Sequence, residues 1–160
     1  MFHIEKLRGL VLAIARHPSV RSLGLTKLWK LIYFVDVSAL REHGATITGS
    51  EFIKYPHGPV PSRGEKILKA MRKDGAVRTE QRQHDGYSQT LVIADADVPD
   101  AFTADERAVI DQVSRELGGK TANVLSKLSH EEPASALAVE IDKLDPELLH
   151  YGRSEDPEGL

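Results

Sequence analysis

Seven histidines are the first side chains in this sequence with the chemistry to hold a metal. Zinc sites on helices need two imidazoles at i and i+4, so that both point from one face. No such pair occurs, and His130-Glu131-Glu132-Pro133 lacks the second histidine of an H-E-x-x-H site. Cysteine is absent, which excludes disulfides, thiolate metal sites and cysteine nucleophiles. A serine nucleophile fares no better: Gly49-Ser50 lacks the second glycine of a G-x-S-x-G elbow. Phosphate loops rely on backbone N–H donors, and Pro59 and Pro61 remove them from Gly58-Pro59-Val60-Pro61-Ser62-Arg63-Gly64. The expectation is a protein with no metal, no cofactor and no catalytic constellation. Of the polar residues that remain, His43 sits where it complements a helix C-terminus. His57 is placed to orient the proline loop through a backbone hydrogen bond. Asp36 stands out, because it interrupts an apolar helix. A carboxylate there must be paired, face a groove or be protonated, since burying it bare is too costly; pairing is the reading taken.

The elements around these residues follow from apolar periodicity. Ile4, Leu7, Leu10, Val11 and Ile14 recur at helical spacing, and Arg16-His17-Pro18 ends that helix. A second helix is expected from about Thr26 to His43, apolar around most of its circumference and hence central, with Gly44 ending it. Residues 45–61 read as a structured loop with short extended pieces. Ser62-Arg63-Gly64-Glu65 has the capping-box pattern for a third helix, which turns Ile67, Leu68 and Met71 inward and stops at Gly75. Val77 to Arg82 and Gln89 to Ala94 are strand-like, with Asp85-Gly86 in the turn between them. Another capping box, Thr103-Ala104-Asp105-Glu106, opens a helix that Gly118-Gly119 closes. Shorter helical pieces follow at Thr121 to Leu128, from Pro133, and at Asp145-Pro146. The fold class is therefore mainly α, a compact helical domain over residues 1–152 with a small two-stranded β-hairpin. The acidic tail 153–160 has nothing to bury and is expected to fray.

A chain of 160 residues, 41% hydrophobic, is long enough to bury one core. Its first residues lack the pattern of a signal peptide, and the apolar run Leu10 to Ala15 falls far short of a membrane span. A cytoplasmic location is expected. The net charge of -3 hides an asymmetry: residues 1–94 hold 15 Lys/Arg against 8 Asp/Glu, and residues 95–160 hold 6 against 16. Either the halves neutralise each other on packing, or an electropositive face awaits an acidic protein or nucleic acid. Residues 63–82 concentrate Arg63, Lys66, Lys69, Arg72, Lys73, Arg78 and Arg82 against Glu65, Asp74 and Glu80. A basic helix at 62–73 followed by a hairpin is the layout of a winged helix, a DNA-reading arrangement. Against DNA stand the pI of about 6.2 and a helix without Asn or Gln, the usual adenine readers.

Several segments together resemble the Panacea domain, the SocA-like antitoxin family. Lys27-Leu28-Trp29-Lys30-Leu31-Ile32-Tyr33-Phe34-Val35-Asp36 is similar to the family's K-L-x-K-L-x-Y-x-x-D helix. Ile47-Thr48-Gly49 and His57-Gly58-Pro59-Val60-Pro61-Ser62 follow in the order of its I-T-G turn and Y-G-P-V-P-S loop. The helix from Thr103 and Leu128-Ser129-His130-Glu131-Glu132-Pro133 are similar to its second half. The chain departs from the pattern at His57, where tyrosine is usual, and after Pro133, where an aromatic often stands. The resemblance implies an antitoxin-type protein that binds and neutralises a cognate toxin, usually encoded next door, or hands it to a protease. Candidate partner-binding residues are then Tyr33, Asp36, His57, Gly58, Pro59, Val60, Arg63, Lys66, Lys69 and Arg72. Prolines 56, 59 and 61 would pre-order their loop and lower the entropy lost on docking. A DNA-binding regulator using residues 62–94 is the alternative.

Overall fold

The computed structural model describes residues 1–138 and 142–152; the 153–160 tail lies outside them. Helix α1 (Ile4–Arg16) buries Leu7, Leu10, Val11 and Ile14, the stripe its spacing demands. Helix α2 (Leu25–His43) is the spine. It buries residues on nearly every side, including Lys27, Lys30 and Asp36, and ends at Gly44 with φ +85°. The left-handed conformation lets the Gly44 N–H return to the Leu40 carbonyl, and glycine adopts it without a Cβ penalty.

The extended pieces expected within 45–61 pair with each other. Strands β1 (Phe52–Tyr55) and β2 (Gly58–Pro61) form a tight antiparallel hairpin, with Phe52 opposite Pro61 and Tyr55 opposite Gly58. The far edge of β1 is also taken: the Lys54 N–H donates to the Asp142 carbonyl and the Leu144 N–H to the Phe52 carbonyl, each at 2.9 Å. Helix α3 (Gly64–Lys73) buries Ile67, Leu68 and Met71, as expected. Its start corrects the sequence reading, because Arg63 occupies the cap position and no side chain caps the helix. Two tertiary demands explain this. The Ser62 N–H is engaged by the Glu51 carbonyl at 2.8 Å. A Cβ at Gly64 would come within 2.9 Å of the Trp29 ring, so the indole sets the entry of α3.

Strands β3 (Val77–His84) and β4 (Tyr87–Ala94) form the second hairpin, longer than the sequence indicated. Asp85 and Gly86 both have positive φ, +46° and +85°, the conformation a two-residue turn needs to follow the twist of its strands. Helices α4 (Ala104–Leu117), α5 (Ala122–His130) and α6 (Pro133–Ala136) follow, then a 3-10 turn at Pro146–His150. One hydrophobic cluster runs from Leu7 to Leu149, with α2 at its centre. The fold is mainly α, with two small two-stranded antiparallel sheets among the described residues. No described helix is long and apolar enough to cross a membrane.

The Thr103 capping box is complete: its hydroxyl accepts from the Glu106 N–H at 3.1 Å, and Glu106 Oε1 accepts from the Thr103 N–H at 2.9 Å. Glu106 also holds Lys6 of α1 at 2.8 Å, so the cap ties two helices. Replacing Thr103 by Ala should cost about 1 kcal/mol, seen as a lower urea midpoint with an unchanged slope.

Candidate functional site

The signature helix carries a polar or amphipathic residue every third position: Lys27, Lys30, Tyr33 and Asp36. At 3.6 residues per turn, each step of three moves about 60° back around the axis. The four therefore reach four different parts of the molecule. Lys27 Nζ donates to the Arg21 carbonyl, closing the loop that precedes the helix. Lys30 Nζ donates to the Pro59 carbonyl at 2.5 Å and holds the β1–β2 hairpin from beneath. The Tyr33 ring meets Phe34 and Phe52 edge-on, both at 5.3 Å between centroids. Its hydroxyl is buried without a hydrogen-bond partner among the described residues. Asp36 accepts from the Ile47 N–H at 2.9 Å, from the Thr48 N–H at 3.0 Å, and from the Thr48 hydroxyl. The carboxylate on the apolar helix is thus paired, with the Ile47-Thr48-Gly49 turn.

Both glycines in the matching turns are required by geometry. Gly58 has φ +106°, and a Cβ there would come within 2.5 Å of Ser129 Oγ and 2.8 Å of Lys30 Cε. Gly49 has φ +68°, and a Cβ would collide with the Met1 carbonyl. That closeness belongs to the N-terminal segment, whose His3 N–H donates to the Thr48 carbonyl at 2.8 Å.

Burial shifts the charges on this helix. Desolvation lowers the Lys30 ammonium to about 7 and raises the Asp36 carboxyl to about 6, although the Thr48 and Ile47 hydrogen bonds pull the latter back down. Tyr33 is pushed up, by desolvation first and then by the nearby Glu132 charge. Glu132 is itself buried and held by Arg41 at 2.8 Å.

Of the ten candidate residues, the structure places Tyr33, Asp36, Gly58 and Pro59 in the interior and leaves Val60 half-buried. His57, Arg63, Lys66, Lys69 and Arg72 are exposed. The two sets are connected: the buried set fixes the hairpin, whose tip exposes Tyr55, Pro56 and His57, and β2 leads directly into α3. The hydrogen bond expected of His57 is made instead by His130, whose Nε2 lies 3.1 Å from the Pro56 carbonyl. Arg63 lies over the Phe2 ring, 4.7 Å from its centroid. Sequence reasoning missed Lys30, Ser129 and the Arg41–Glu132 pair; the three-residue spacing along α2 was the available signal.

The charge asymmetry resolves in part by packing. Lys6–Glu106, Arg41–Glu132, Arg78–Asp95, His17–Asp111 and Lys143–Glu51 each join the basic and acidic portions. Lys66, Lys69, Arg72 and Lys73 on α3 make no ion pair with any described residue, and all four are exposed. No group of three or more His, Asp or Glu among the described residues is arranged to hold a metal.

The helix, turn and hairpin that interlock here lie within one family match. The model of the antitoxin SocA-like, Panacea domain family matches residues 28–134, and the chain belongs to that family. The match starts in α2, at the residue after Lys27, and ends in α6. No curated protein and no solved structure matches the chain at a significant level.

Two predictions follow from the buried residues. Asp36, with a raised folded pKa, stabilises most when protonated, and this contribution is lost as pH rises from about 4 through about 6. Lys30, with a lowered folded pKa, binds fewer protons folded than unfolded between about 7 and 10.5, so stability rises with pH across that window. Urea unfolding at pH 7 to 10 should show that rise in the native protein and not in Lys30→Met, while Asp36→Asn should lack the fall between pH 4 and 6. Replacing Gly58 by Ala should destabilise by about 2 kcal/mol or more and increase hydrogen exchange in the β1–β2 hairpin.

Proposed function

We propose that this chain is an antitoxin that binds a cognate toxin protein and neutralises it, either by holding it or by delivering it to a protease as an adaptor. It acts by binding, without catalysis, in the reducing cytoplasm that a cysteine-free chain suits. Its family membership supports the antitoxin role. The observation that carries the binding mode is the row of cations on α3 that pair with no described residue, in a chain whose β1–β2 hairpin is anchored from beneath by Lys30. A surface already ordered loses little entropy on docking, and a helix on which four exposed cations outnumber the lone Glu65 gives orientation and a fast encounter with an acidic partner. Lys66, Lys69, Arg72 and Lys73 offer the charge, and Tyr55 and His57 the contact area.

The same cations favour a second reading, in which α3 and the β3–β4 hairpin act as a winged-helix-like DNA reader. Phosphate contacts from Lys69, Arg72 and Lys73 would supply affinity there, with little base readout from a helix lacking Asn and Gln.

The test is to express the protein encoded next to this chain with and without it. Growth arrest by the neighbour, relieved by co-expression, is the expected result. Lys69→Glu with Arg72→Glu should weaken the complex roughly tenfold or more while leaving the melting temperature unchanged. Unchanged affinity would remove α3 from the docking surface. Tight, steeply salt-dependent binding to duplex DNA, with no effect on the neighbour, would replace the antitoxin reading with the second one.

A further inference from the structure

A furrow of about 1020 Å³ opens where the start of α2, the start of α5 and the outer end of the β3–β4 hairpin converge. Four cations line it, Arg21, Lys27, Arg82 and Lys120, and no Asp or Glu does. Arg21, Arg82 and Lys120 are exposed and make no ion pair with any described residue. Lys27 is only 4% exposed, and the neutral Arg21 carbonyl is its one hydrogen-bond partner among the described residues. A nearly buried ammonium without a counter-ion is costly, and an anion in the furrow would supply what the chain withholds. The backbone adds to this. Gly24 begins α2 without a capping side chain, and the Thr26 N–H in its first turn meets no acceptor among the described residues; Leu25 follows the Gly24–Leu91 strand bridge.

We propose that this furrow binds nucleotide phosphates, carried either by a free nucleoside triphosphate or by a single-stranded nucleic acid. Charge density decides against an acidic peptide. Carboxylates on one side of an extended peptide stand about 7 Å apart, whereas the phosphates of a triphosphate are joined through single bridging oxygens and present several charges to one cluster of cations; a strand offers the same phosphate chemistry one charge at a time. The rest of the wall is polar, with Thr26, Gln89 and Asn123 as hydrogen-bonding groups. Tyr87, 60% exposed, adds an aromatic side chain to the rim. This site is separate from the α3 surface, shares no residue with it, and does not depend on the antitoxin reading.

The experiment is fluorescence anisotropy on the full chain with two probes at low salt: a fluorescent ATP derivative and a labelled short oligodeoxythymidine. Saturable binding of at least one is expected, and the tighter probe identifies the free nucleotide or the strand as the source. Arg21→Ala with Lys120→Ala should weaken that binding roughly tenfold. Arg82→Ala, on the hairpin and far from the core, should weaken it roughly threefold, which keeps the test valid if the double variant melts early. Lys69→Glu with Arg72→Glu should leave it unchanged. The proposal is overturned if neither probe saturates, if only the α3 variant loses binding, or if polyglutamate competes as well as the oligonucleotide.

Discussion

Asp36 is a carboxylate with no exposure to water, and the fold is arranged around keeping it satisfied. Its three donors come from Ile47 and Thr48, beyond the end of its own helix, so the chain must turn back sharply after Gly44. The chain's N-terminal residues then lie across Gly49, where only a glycine leaves room. Lys30 imposes a similar condition one segment later, through the carbonyl of Pro59. A buried polar group that is fully satisfied specifies one arrangement, because every alternative leaves it unpaired. The central helix thereby dictates the order in which the turn and the hairpin must pack.

What local chemistry controls was legible in the sequence. The left-handed Gly44, the Asp85-Gly86 turn and the Thr103 box each depend on residues within a few positions of one another. Ser62 shows the limit: its pattern matches a cap, but the ring of Trp29 and the carbonyl of Glu51 decide how that helix begins. The partner of Lys30 lies 29 residues away, and no local pattern names it. Asp36 was recognisable as needing a partner, and Tyr33, Gly58 and Pro59, named as partner-binding candidates, lie in the interior. The furrow was invisible for a further reason: it draws on three distant stretches, none of them basic enough alone to attract notice.

Charge is distributed according to the same division between interior and surface. Acidic residues of the second half meet basic residues of the first, and Lys6 and Arg41 on helices and Arg78 on β3 are neutralised there. What remains positive is therefore a residue of packing, concentrated on α3 and in the furrow. An overall acidic chain can in this way carry two strongly cationic places, and its isoelectric point says little about either.

Strand β1 has neighbours on both sides, β2 along one edge and residues 142–144 along the other. Its main chain is consequently spent, and no visiting strand can zip onto it. A partner that approaches β1 finds its backbone groups already paired. Sequence change at Tyr55 and His57, both exposed at the hairpin tip, can then alter the surface while the scaffold beneath stays the same.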